Sequence, residues 1–191
     1  MAKGDEHRYP LFLELEGREV VVVGAGPVAE RKVEDLLAAG ARVRVVAPQA
    51  SQRIDELARA RTIAWRARTF LAADLKDAWL VVSATGNPAV ARRVFKEAER
   101  RRIFVLAVDD PANGSAISGS VVRRAPFVVV ISSSGQAPAL TRLLRELVEQ
   151  VLPDDRWVQA ARELRKRWRK EGAPMGSRFS ELVRAFKERA K

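Results

Sequence analysis

Val20-Val21-Val22-Val23-Gly24-Ala25-Gly26-Pro27-Val28-Ala29-Glu30-Arg31-Lys32 decides the fold of this 191-residue chain. Four consecutive β-branched residues predict a buried strand, expected over Glu19–Val23. Gly24-Ala25-Gly26 then turns the chain into a helical pattern from about Val28 to Ala39, with Val33, Leu36 and Leu37 on one face and Gly40 as its C′ residue. Strand, glycine turn and helix in that order are what a dinucleotide site requires. Gly24 permits the tight turn, Gly26 lets the backbone approach a pyrophosphate, and Ala29 takes the third small position of GxGxxG/A. Ala25, Pro27 and Val28 complete the loop, and the helix N-terminus offers N–H groups and partial positive charge to the anion. The plain alternative is a strand–turn–helix connection with no ligand.

Outward from this stretch, apolar β-rich runs alternate with helical patterns, which predicts an α/β fold built on a Rossmann-like parallel sheet. Arg42–Ala47 is a second strand stopped by Pro48, and Gln52–Ala60 a helix carrying Ile54, Leu57 and Ala58 inward. Thr62–Arg66 is a weaker strand, Trp79–Ala84 a buried one, and a helix runs from Pro88 to about Arg101. Phe104–Val108 ends the alternation at Asp109-Asp110-Pro111. Ser120–Arg123 and Phe127–Ser132, separated by Arg124-Ala125-Pro126, read as a hairpin or a short crossover. Ser132-Ser133-Ser134-Gly135 is a loop, and Pro138 opens a helix to about Leu152. Pro153-Asp154-Asp155 caps a further helix with a seam of Trp157, Ala161, Leu164 and Trp168, tryptophans placed in a core or subunit interface rather than as stacking platforms. After Gly172-Ala173-Pro174, the positions of Phe179, Leu182, Val183 and Phe186 mark a last short helix. The expected organisation is a nucleotide domain over 1–113, a sheet-and-helix dimerisation extension over 114–152 and a helical region over 153–191.

Composition narrows the chemistry. With no Cys, disulfides, thiolate catalysis and Cys-ligated metals are excluded; with His7 as the single histidine, so are a His-based triad and a polyhistidine metal site. No apolar leader or membrane-length run is present, so a cytoplasmic protein without membrane contact is expected. The net charge of +11 fits a soluble surface, attraction to nucleic acid, or capture of a polyanionic small substrate.

Ligands of a doubly wound sheet lie beyond the carboxyl ends of its strands. That selects Gly24–Val28, Pro48-Gln49, Ala84-Thr85-Gly86-Asn87 and Asp109-Asp110. The second strand ends in Ala47-Pro48 with no acidic residue for a ribose 2′-OH, so NAD is expected with NADP open, and backbone groups of Pro48 and Gln49 would hold the adenosine. Asp109 is either a partly buried general base or a turn residue whose carboxylate bonds nearby backbone. Ser132–Gly135 is either an anion cradle or a helix cap.

Several stretches together resemble the precorrin-2 dehydrogenase/sirohydrochlorin ferrochelatase family, also found as the N-terminal part of bifunctional siroheme synthases. They are Tyr9-Pro10-Leu11-Phe12 with Gly17, Val22 to Lys32, Leu37-Ala38-Ala39-Gly40-Ala41, Val45-Val46-Ala47-Pro48, Ala84-Thr85, Val108 to Pro111, Arg123 to Pro126, and Pro138-Ala139-Leu140 with Leu143-Leu144-Arg145. The resemblance implies NAD-linked oxidation of precorrin-2, an anionic tetrapyrrole with eight carboxylates, to sirohydrochlorin. It places Asp109 at the family's functional aspartate and Ser133 at its substrate-side serine, beside Ser134, Gly135 and Arg142. It implies a homodimer in which the segment after the nucleotide domain exchanges contacts between subunits. A cleft for that substrate would draw on Arg123, Arg124, Arg142 and Arg145. The chain departs from the family at Leu106, where Asn is frequent, over Ala116–Gly119, where Phe and Pro are frequent, and at Ser134, where a second Gly is frequent. The resemblance also allows iron insertion into sirohydrochlorin as a second activity. The rival functions are a non-enzymatic dinucleotide sensor, which usually carries an acid after the second strand, and a nucleic-acid-binding protein using the basic Arg162–Lys170 tract.

Overall fold

A computed structural model describes residues 8–108 and 110–189, the side chains of 186–189 excepted. His7, Asp109 and the side chain of Phe186 lie outside the described residues. The first of two compact units extends through Ser118 and the second begins at Gly119.

In the first unit, β1 (Glu19–Val23), β2 (Arg42–Val46), β3 (Ala64–Arg66), β4 (Leu80–Ser83) and β5 (Phe104–Ala107) form one sheet in the order β3-β2-β1-β4-β5. All four pairings are parallel. Helices α1 (Pro27–Ala38), α2 (Gln52–Arg59) and α3 (Pro88–Arg100) are the crossovers, and the strand order reverses between β1 and β4. The valine run explains why β1 is central. Val20 and Val22 enter a core with Val33 of α1, Val43, Val45 and Ile54; Val21 and Val23 face a second core with Val46, Phe70, Val81 and Val94. A strand buried on both faces reads as continuous apolar sequence rather than as alternation.

The boundaries follow the sequence reading closely. β3 is shorter than Thr62–Arg66, and the segment before β4 contains a 3-10 turn over Ala72–Leu75 that the sequence does not announce. Residues 114–118 stay with the first unit: the Val105 N–H donates to Ser115 Oγ at 2.9 Å, and Ala116 bridges to Leu106.

In the second unit, β6 (Ser120–Arg124) and β7 (Phe127–Ile131) pair antiparallel with Arg124 opposite Phe127, so the run is a hairpin and not a crossover; its Ala125-Pro126 bond is cis. Helices α4 (Pro138–Val151), α5 (Asp155–Glu171) and α6 (Met175–Arg189) follow. Asp154 caps α5, its carboxylate accepting from the Arg156 and Trp157 N–H groups at 3.1 and 3.3 Å. Gly172, with φ +63°, closes it. The α5 seam is broader than expected: Val158, Ala160 and Trp168 are buried, while Trp157, Ala161 and Leu164 are half-buried. Trp168 Nε1 donates to Glu181 Oε2 at 2.7 Å and ties α5 to α6. The last helix is not short: α6 has 15 residues.

Candidate functional site

At the carboxyl end of β1 the two fingerprint glycines meet different surroundings. Gly24 has φ +113°, and a Cβ built on it would lie 2.2 Å from the Ala84 carbonyl oxygen. The turn after β1 thus touches the turn after β4, and only glycine fits between them. A Cβ on Gly26 would meet nothing within 4 Å, so that position faces open space. Gly26 is the N-cap of α1, no side chain caps it, and Pro27 at the first helical position has no N–H to satisfy. The following N–H groups and the positive helix end are therefore available to an anion. The loop is fixed from behind by hydrogen bonds from Gly24 N to Val46 O at 3.0 Å and from Ser51 N to Ala25 O at 2.9 Å. Ala29, fully buried, lets α1 sit close on the sheet.

Beside this turn lies a cleft of about 430 Å³ whose lining includes Val28, Ser83, Ala84, Thr85, Asn87 and Asp110. The structure thus brings together the expected residues Val28, Ala84 and Thr85. Asn87 has a structural duty that its place in the ligand loop did not suggest. Its Oδ1 accepts from Ala89 N at 2.9 Å and Val90 N at 3.3 Å, capping α3 ahead of Pro88. The Asn-Pro pair before a helical run is the signal for it. Asp110 is half-buried and accepts from Asn113 Nδ2 at 2.7 Å. Pro48 and Gln49 are exposed at the end of β2 and do not line the cleft. Nearby, Trp65 Nε1 donates to the Ala47 carbonyl at 3.1 Å. The open Cβ side of Gly26 and the uncapped start of α1 suit the pyrophosphate of a dinucleotide.

The sequence reading missed Asp74. This fully buried carboxylate receives Arg66 Nη1 at 2.5 Å, Arg68 Nη2 at 2.6 Å and Nη1 at 2.7 Å, and the Leu71 N–H at 2.8 Å. Burial pushes its pKa up, but the Arg68, Leu71 and Arg66 hydrogen bonds outweigh that and hold the carboxyl at about 2. The backbone of Arg66 is also the partner of Ala47 N at 3.2 Å, so the cluster anchors the chain where β2 and β3 end.

In the second unit Ser133 and Thr141 meet. Ser133 Oγ accepts from Ala137 N at 3.1 Å and from Thr141 Oγ1 at 2.8 Å, closing the loop onto α4. Ser134 and Gly135 both have positive φ, +53° and +82°, and Gln136 N returns to Ser133 O at 2.9 Å. A left-handed conformation at Ser134 supplies a physical reason for glycine at that position. Of the expected substrate-side cations, Arg142 Nε pairs with Glu146 at 3.0 Å, Arg145 Nη1 with Glu149 at 2.8 Å, and Arg124 Nη1 donates to the Leu152 carbonyl at 2.6 Å.

Residues 11–120 match the family described as "Putative NAD(P)-binding". The chain is 40% identical over 190 residues to "Siroheme synthase 1" of Serratia proteamaculans, covering 91% of this chain and 39% of that protein. It is 44% identical over 171 residues to "Siroheme synthase 3" of Aeromonas hydrophila, covering 88% of this chain and 36% of that protein. The chain therefore spans under two-fifths of the length of these relatives. Among solved structures, "SirC, precorrin-2 dehydrogenase" superposes with a TM-score of 0.74 at 24% identity, covering 93% of this chain and 88% of that one. The two share a fold.

Proposed function

The chain belongs to this NAD(P)-binding family, and on that premise we propose that it is a precorrin-2 dehydrogenase that uses NAD and forms sirohydrochlorin. The observation that carries the proposal is the 40% identity to a siroheme synthase over 190 residues, nearly the whole chain. The crevice supports it: Gly26 is open on its Cβ side, α1 begins without a side-chain cap, and Val28 and Thr85 line one cleft. Dehydrogenation removes a hydride and a proton from the macrocycle, and NAD supplies the hydride acceptor. Asp109, in the Val108-Asp109-Asp110-Pro111 stretch of the sequence, takes the proton. Ser133, Ser134, Gly135 and Arg142 serve the substrate side, and the protein works in the cytoplasm.

The working form is a homodimer. On α4, Leu140, Leu143, Leu144, Leu147 and Val151 recur at helical spacing and are 41–75% exposed, and no α4 residue is buried. An apolar stripe left in water at that extent calls for a second surface. The function is tested by anaerobic incubation of fresh precorrin-2 with the protein and NAD: sirohydrochlorin absorbance is expected to rise, and no rise above an enzyme-free control refutes the proposal. Asp109→Ala is expected to lower turnover by about 10²–10⁴-fold at unchanged NAD affinity; a loss of NAD affinity contradicts the role given to Asp109.

A further inference from the structure

The positive charge of this chain is unevenly placed. Residues 119–191 hold 16 of its 35 Lys and Arg but only 8 of its 24 Asp and Glu, and so +8 of its net +11. The sequence assigns polyanion capture to Arg123, Arg124, Arg142 and Arg145, yet the last three are engaged with Leu152, Glu146 and Glu149. A run of cations without an ion pair lies instead on α5. Arg162, Arg165, Lys166, Arg169 and Lys170 are all exposed. Among the described residues none of the five forms an ion pair, while the neighbouring Arg156 and Arg167 are paired with Asp154, Glu171 and Glu181.

Their spacing of i, i+3, i+4, i+7 and i+8 sets the five on one helix face, a stripe about 12 Å long at 1.5 Å per residue. It lies away from the face that buries Ala160 and Trp168. Like charges three and four positions apart repel, and only Arg169 and Lys170 fall in the last turn, where the helix dipole offsets this. The stripe is thus a field maintained against local cost and directed at solvent.

We propose that this α5 stripe docks the polycarboxylate rim of the tetrapyrrole, collecting it electrostatically. The assignment rests on the dehydrogenase reading for its ligand. Charge complementarity selects a compact polyanion with several carboxylates. Single-stranded nucleic acid is disfavoured because the stripe carries no aromatic side chain for a base to stack on: Trp168 is buried with its Nε1 on Glu181, and Trp157 is half-buried; duplex DNA, which binds through its phosphates, is the competitor in the test.

The test uses the full chain, uroporphyrin as a stable eight-carboxylate probe followed by its fluorescence, and a duplex oligonucleotide as competitor. R162Q/R165Q/K166Q/R169Q/K170Q is expected to bind uroporphyrin about tenfold more weakly and with a flatter salt dependence. R162K/R165K/R169K, which keeps the charge, is expected to retain binding. Helicity and NAD affinity stay unchanged in both, and with precorrin-2 the glutamine variant raises KM at unchanged kcat. Equal uroporphyrin affinity in the glutamine variant and the native chain overturns the proposal. So does tighter binding of duplex DNA than of uroporphyrin, lost in the glutamine variant. A native chain that binds uroporphyrin through the stripe but does not oxidise precorrin-2 supports the docking surface and overturns the dehydrogenase reading alone.

Discussion

Gly24 and Gly26, two residues apart, separate folding from binding. Gly24→Ala would force a Cβ into the Ala84 carbonyl at a φ of +113°, and the expected outcome is loss of the cooperative thermal transition or a large drop in its midpoint. Gly26→Ala meets no protein atom within 4 Å and is expected to fold normally, with NAD affinity lowered at least tenfold in a titration because the Cβ occupies the approach of the pyrophosphate. Unchanged NAD affinity in a folded Gly26→Ala protein would remove that loop from the cofactor site. The GxGxxA spacing reveals both glycines, because the turn and the close approach are local. Asp74 is different. Its partners Arg68 and Arg66 stand six and eight positions before it, ahead of the 3-10 turn that carries it, and a lone Asp in Leu71-Ala72-Ala73-Asp74 carries no sign of burial. Because its carboxyl is held at about 2 against 3.8 when unpaired, its contribution to stability is complete above about pH 4 and disappears as pH falls through 2. That contribution is about 1–2 kcal/mol, reduced from the full shift because both arginines reach solvent. Asp74→Asn is expected to lose about 2–3 kcal/mol in urea unfolding near neutral pH, since two guanidiniums are left without their carboxylate. It should also weaken the dependence of stability on pH below 4, and a parallel acid limb in the two proteins would contradict the pairing.

At the scale of elements, the alternation of valine-rich runs and helical patterns is enough to place all five strands of the parallel sheet, because each crossover is local and the central strands β1 and β4 are buried on two faces. What the pattern does not specify is which apolar surface a single chain covers. The α4 stripe reads as an ordinary amphipathic helix in sequence, yet its leucines stay exposed in the single chain. Leu143→Asp with Leu147→Asp is expected to convert the proposed dimer to monomers in sedimentation velocity while the first unit keeps its NAD affinity. Persistence of the dimer would move the interface elsewhere. The Ser134-Gly135 turn gives a milder test. Ser134→Gly relieves a left-handed serine at φ +53° and is expected to change stability by at most about 1 kcal/mol, in the stabilising direction, in thermal unfolding. The hairpin was ambiguous in sequence because Arg124-Ala125-Pro126 does not fix a turn type, whereas the Arg124–Phe127 register does.

For the whole molecule, the charge distribution and the glycine crevice describe a protein that holds a dinucleotide in one unit and concentrates positive charge in the other. The cofactor half is legible from residues 20–32 onward because phosphate binding uses backbone and glycine, which sequence spacing encodes. The residues proposed for the substrate side are less so. Ser133 is tied to Ala137 and Thr141, and Arg142 to Glu146, partnerships set by how α4 begins and which side chains lie one turn apart. A single anaerobic assay tests the proposed dehydrogenation most directly. Fresh precorrin-2 and NAD are mixed with the full chain, and NADH and sirohydrochlorin are recorded together. The expected result is one NADH formed per sirohydrochlorin, at a rate proportional to protein and abolished without NAD. Sirohydrochlorin formed no faster than in the enzyme-free control, or formed without NADH, would contradict it.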